Sequence, residues 1–130
     1  MRWKIVVRDT LIVWCLTVLG GFVVGFALGV VGAAGSPQIP LVVAVSNFVF
    51  GIVGFVIVGA LAKTNRFRHL VVIALAAWVT SFLNVLLFAG SIGNWLLALP
   101  FIFVVMLIGG GISFLLVRPA AAVAVRREDA

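Results

Sequence analysis

Along this chain the hydrophobic pattern is read from where apolar runs stop, because polar positions inside them are rare. Four runs stand out, at Leu11 to Ala34, Pro40 to Ala62, Leu70 to Ala89 and Leu96 to Val117. Each is close to the length of about 20 residues that a helix needs to cross the hydrocarbon of a bilayer. None shows the short alternating segments of a membrane barrel, so each predicts a helix, which satisfies its own backbone hydrogen bonds in lipid. The predicted fold class is therefore all-α: a polytopic integral membrane protein of four transmembrane helices, arranged as two antiparallel hairpins. Residues 1–130 form one domain, with spans of about 11–34, 40–62, 70–89 and 96–117 and no extramembrane domain. Pro40 suits the first turn of the second span, where its missing N–H is not needed. Pro100 leaves the start of the fourth span open between Leu96 and Pro100 itself.

Composition changes the solvent and not the pattern. Of the 130 residues 65% are hydrophobic and 9% are charged, where a soluble domain carries about 25% charged residues. Such a chain cannot cover a water-facing surface, so its solvent is mostly lipid. The charges then set orientation. Arg2, Lys4 and Arg8 precede the first span; Lys63, Arg66 and Arg68 lie between the second and third; Arg118, Arg126 and Arg127 follow the fourth. The connections at residues 35–39 and 90–95 carry no charge. Basic groups beside spans stay cytoplasmic, which places both termini in the cytoplasm. The net charge of +6 follows from this topology and predicts no nucleic-acid partner. Lys63, Arg66 and Arg68 are candidate contacts for lipid headgroups. The first apolar run is too long for the core of a cleaved signal peptide, so it is expected to remain as a helix. The Ala-, Val- and Gly-rich composition fits a bacterial inner membrane.

Glycine is the most conspicuous residue type within the runs. Residues 20–32, GGFVVGFALGVVG, hold five glycines in thirteen positions. At 100° per residue Gly21, Gly25, Gly29 and Gly32 fall within about 80° of arc, beside Trp14 and Thr17. In lipid, helices associate through close van der Waals contact, which small residues at every fourth position permit. The expected packing partners are the second span, through Gly51 and Gly54, the fourth, through Gly109 and Gly110, or another copy of the protein. A weak internal likeness, Ala34-Gly35-Ser36 and Ala89-Gly90-Ser91, is too short to establish a duplication.

Candidate chemistry is sparse. Between the expected interfaces there is no Asp, Glu, Lys, Arg or His, the residues that mark function inside a membrane. Asp9 is read as an interfacial ion pair with Arg8 or as a helix-start cap, and His69 as a headgroup contact. Cys15 alone can form neither an internal disulfide nor a thiolate cluster and is expected to be a small core residue. No hydroxyl has a base placed to activate it, so no catalytic residue, cofactor or metal is expected. What the interior offers is neutral: Ser46 and Asn47 in the second span and Thr80, Ser81 and Asn84 in the third, at similar depth. This polar layer reads either as interhelical hydrogen bonds or as the wall of a path for a neutral solute. The sequence thus predicts a small non-enzymatic integral membrane protein whose partners are membrane lipids and either itself or a larger membrane complex. The alternative is a channel or uncoupled carrier for a small neutral or lipid-like substrate.

Overall fold

The computed structural model describes residues 3–32, 35–62, 65–88 and 90–116, with Asn84 and Phe88 described by their backbone alone. The expectations for Arg2, Lys63, Arg118, Arg126 and Arg127, and for Ala33, Ala34 and Ala89, lie outside the described residues. Among those described, all regular structure is helical: α1 (Trp3–Val30), α2 (Ile39–Leu61), α3 (Arg66–Phe88) and α4 (Ile92–Leu116). All four are long and apolar enough to cross a membrane.

The helices outrun the apolar stretches at three of their starts. α1 begins at Trp3 and not Leu11, α3 at Arg66 and not Leu70, and α4 at Ile92 and not Leu96. Hydropathy marks contact with lipid, whereas the backbone ladder continues wherever the next N–H finds a carbonyl four residues back. α1 ends before the predicted Ala34. The Gly32 N–H bonds the Gly29 carbonyl at 3.2 Å, and Gly32 takes φ +73°, a left-handed conformation that glycine adopts without steric cost. Gly32 therefore closes the helix and stands outside its regular face. α2 opens with Pro40 in its first turn. Pro100 lies inside α4, so Trp95 to Leu99 are helical and the Leu96 carbonyl has no N–H four residues ahead to accept.

α1 packs against α2 and α3, and α4 packs against the same two; no Cα of α1 comes within 8 Å of one of α4. Phe55, Val58, Leu70, Ile73 and Met106 are fully buried among them. Glycines set how closely the helices approach. A methyl group added at Gly109 would lie 2.6 Å from the Ile52 carbonyl oxygen and 2.7 Å from Phe55 Cβ. At Gly110 it would meet Leu70 Cδ1 at 2.8 Å, at Gly51 Val105 Cγ1 at 2.9 Å, and at Gly54 the Val13 Cα at 3.2 Å. Gly59 is pressed against the Ser113 hydroxyl and Gly20 against the Phe50 ring. These positions answer why the chain accepts glycine where it costs about 1 kcal/mol against alanine in a water-exposed helix: here the glycine backbone meets neighbouring backbone or a side chain with no room for a methyl group.

The candidate packing glycines of α1 do not all lie in such contacts. Gly21 meets Asn47 Oδ1 at 3.0 Å, whereas Gly25, Gly29 and Gly32 have nothing within 4 Å of an added methyl. Cys15 is exposed, on the outside of α1 and not in the core. With apolar residues all round, a helix gives no hydropathy signal for which side is buried.

Candidate functional site

Two places in the bundle gather polar groups. The first is at the end that holds Arg8, Arg66 and Arg68. Asp9 occupies the second turn of α1 and is wholly buried, at 0% exposure. Arg8 Nη2 lies 2.7 Å from Asp9 Oδ1, and His69 Nε2 lies 2.8 Å from Asp9 Oδ2. The ion pair with Arg8 was expected; the position is not a helix-start cap, because α1 begins six residues earlier. His69 is turned inward to Asp9, with a side chain 13% exposed, and so ties α3 to α1 instead of reaching headgroups. A buried carboxylate is costly unless paired and hydrogen-bonded, and these two partners, one sixty residues away in sequence, meet that requirement. Arg66 is likewise engaged within the protein: its Nη1 donates to the Ser113 carbonyl at 3.2 Å and its guanidinium sits 4.9 Å from the Phe114 ring centre. Arg68 is exposed. Among the described residues no group of three or more His, Cys, Asp or Glu side chains is placed to hold a metal ion.

The second place is a cavity of about 370 Å³ lined by all four helices, within the size range of small-molecule sites. Its wall is mostly apolar, with Phe55 and Val105 among the lining residues and Thr17, Asn47 and Ser81 as the polar side chains besides the tryptophans. Asn47 Oδ1 is buried and has no hydrogen-bond donor. Ser81 Oγ donates to the Trp78 carbonyl at 2.6 Å, and Thr17 Oγ1 donates to the Val13 and Trp14 carbonyls at 3.0 and 2.9 Å. Each hydroxyl hydrogen is thereby committed to its own helix, which leaves the oxygen as an acceptor.

Trp78 forms part of the wall and is held from behind by Trp95. The two rings stack with centres 4.0 Å apart at 15°. Trp78 Nε1 donates to the Trp95 carbonyl at 3.0 Å and Trp95 Nε1 to the Trp78 carbonyl at 3.1 Å. Trp95 thus fixes α4 to α3.

Of the polar layer anticipated from sequence, the structure brings Asn47 and Ser81 to one cavity. Ser46 is buried with its hydroxyl unpartnered but is not in the wall. Thr80 is exposed and bonds back to the Ala76 and Ala77 carbonyls at 2.8 and 3.0 Å. The Asn84 side chain lies outside the described residues. Sequence reasoning missed Trp78, although its place three residues before Ser81 puts the two on one helix face. It also missed the Asp9–His69 pair, for which no local signal exists. No family model, curated protein or solved structure matches this chain.

Proposed function

We propose that this protein is a non-catalytic integral protein of a bacterial inner membrane that binds a small neutral or lipid-like molecule in its central cavity, as a binding protein or uncoupled carrier. The single observation that carries this reading is the cavity of about 370 Å³ that all four helices line, mostly apolar with Thr17, Asn47 and Ser81 in its wall. A concave, mostly apolar space with a few polar groups is the usual make-up of a small-molecule site. No Asp, Glu, Lys, Arg or His is among the lining residues, so the complementary molecule is uncharged.

The chain traverses the membrane as two antiparallel hairpins with both termini cytoplasmic. Paired contacts support the hairpins: Val13, Thr17 and Gly21 of α1 lie against Gly54, Gly51 and Asn47 of α2, descending as α1 ascends. Leu70 and Trp78 of α3 lie against Gly110 and Trp95 of α4 in the same sense. The clustering of basic residues at one end supports the orientation.

The test is native mass spectrometry of the protein released from its own membrane in a lipid-preserving polymer. A neutral molecule carried at one copy per chain, and lost in Ala98→Trp, which fills the cavity, is the expected result. A chain carrying only exchangeable bulk phospholipid, unaffected by Ala98→Trp, rejects the reading. A second reading, assembly with itself or a larger membrane complex, is favoured by Gly25 and Gly29, which meet nothing within 4 Å of an added methyl among the described residues. It predicts a discrete oligomer in the same spectra, dissociated by Gly29→Leu.

A further inference from the structure

Asn47 brings a side-chain amide to the cavity wall, and the two ends of that amide meet different surroundings. Its Oδ1 is buried and turned to α1, 3.0 Å from where a methyl group on Gly21 would sit, while Nδ2 lies 3.9 Å from that point. Gly21 presents a Cα–H in that direction, which suits an oxygen and gives an N–H2 nothing to bond. Nδ2 is the accessible end, and its hydrogens have no acceptor among the described residues. Other polar hydrogens of the wall are committed: Thr17 Oγ1 donates to the Val13 and Trp14 carbonyls, Ser81 Oγ to the Trp78 carbonyl and Trp78 Nε1 to the Trp95 carbonyl. Val18 and Phe22 of α1 and Phe101 of α4 also line the cavity, yet are 45%, 67% and 48% exposed on surfaces that a membrane-spanning chain turns to lipid.

We infer, resting on the cavity reading above, that the guest is a neutral apolar molecule dissolved in the bilayer whose carbonyl oxygen accepts a hydrogen bond from Asn47 Nδ2. An N–H held in an apolar wall gains from an acceptor, and a carbonyl supplies one without bringing a hydrogen that needs a partner of its own. A plain hydrocarbon would fill the space and leave the N–H2 unpaired. A carboxylate would bring a charge, for which the wall holds no Lys, Arg or His, and a buried charge without a partner is costly. Carbonyls also occur on the lipids themselves, as esters at the edge of the hydrocarbon. Asn47 lies eight positions beyond Ile39, the first residue of the 23-residue α2, which is about 12 Å into a helix of about 35 Å. A dissolved ketone reaches that depth freely, whereas a lipid ester would have to draw its headgroup in after it.

The test reconstitutes the full chain in vesicles of ether-linked phosphatidylcholine, which carries no carbonyl, and follows tryptophan fluorescence, since Trp14 and Trp78 line the cavity. The probes are a long-chain ketone brominated along its chain, the brominated alkane of equal length, brominated ether-linked phosphatidylcholine as a measure of ordinary lipid contact, and acrylamide as an aqueous quencher. The expected result is saturable quenching by the ketone at a concentration at least tenfold below that needed for the alkane, little quenching by acrylamide, and an infrared carbonyl band of the bound ketone moved to lower frequency. In Asn47→Leu the preference and the moved band disappear while alkane quenching persists, which also shows that the variant is folded; Ala98→Trp removes saturable quenching by both. Equal affinity for ketone and alkane in the unaltered chain, or a moved band that survives Asn47→Leu, overturns donation by Asn47. Strong acrylamide quenching that the ketone relieves overturns arrival from the bilayer. In ester-linked phosphatidylcholine the tenfold preference is expected to persist; its loss there assigns the site to the lipid's own ester and overturns the dissolved guest. If neither probe quenches beyond brominated phosphatidylcholine, the inference fails; a one-per-chain guest still present by mass spectrometry would then show that the cavity reading survives it.

Discussion

The two ends of the bundle solve opposite problems with the same few residue types. Toward the basic end, Gly54, Gly59, Gly109 and Gly110 bring helices together until an added methyl group would strike backbone or a buried side chain. There the one buried acid, Asp9, is held by two cationic or hydrogen-bonding partners. Toward the other end Gly25 and Gly29 of α1 have no neighbour within 4 Å of an added methyl among the described residues, the helices part around a cavity, and an amide oxygen is left unpaired. Small residues do not by themselves mean tight packing: Gly54 and Gly109 sit in close contacts, whereas Gly25 and Gly29 do not. What distinguishes them is whether the facing helix presents backbone, as Ile52 and Val56 do to Gly109, or presents nothing within reach.

This contrast can be broken first at Asp9. Asp9→Ala removes the acceptor shared by Arg8 and His69, leaves the inward-turned His69 unpaired and is expected to cost about 2–3 kcal/mol, read as lost unfolding free energy in mild detergent. A variant as stable as the parent would show that the closed end does not depend on the pair. Next in size is Gly109→Ala, expected to cost about 1–3 kcal/mol by overpacking, while Gly111→Ala, two positions on with nothing within 4 Å, leaves the melting midpoint in place. Equal effects at the two sites would remove the distinction between packed and open glycines. Asn47→Leu is expected to gain roughly 1 kcal/mol, because it deletes an unpaired buried acceptor. A marked loss of stability would instead make Asn47 a structural residue. The smallest effect belongs to Gly29→Ala, which stabilises α1 by roughly 0.5 kcal/mol through the unfolded chain. Destabilisation there would place a partner on that face.

How much of this was legible in the sequence follows from what each signal measures. Four long helices could be read because apolar length is itself the physical requirement for crossing a bilayer. Their ends could not, since Trp3 to Thr10 and Arg66 to His69 continue the backbone ladder through the charged residues that interrupt the apolar runs. The depth of Asn47 and Ser81 was visible from their distance to the ends of the runs, and both line the cavity. Which glycines would be covered was not visible, because in lipid the covered and uncovered faces are equally apolar. Asp9 was hidden for a different reason. Its burial depends on His69, sixty residues away, and no pattern around Asp9 announces a partner at that distance.

The paired indoles of Trp78 and Trp95 carry one more consequence. Two chromophores stacked 4.0 Å apart at 15° share their electronic transitions, and in a dissymmetric setting that sharing gives a two-signed band in circular dichroism. The molecule therefore carries an unlabelled optical gauge of the register between its last two helices: a slip of one turn, about 5.4 Å, parts the rings and erases the band.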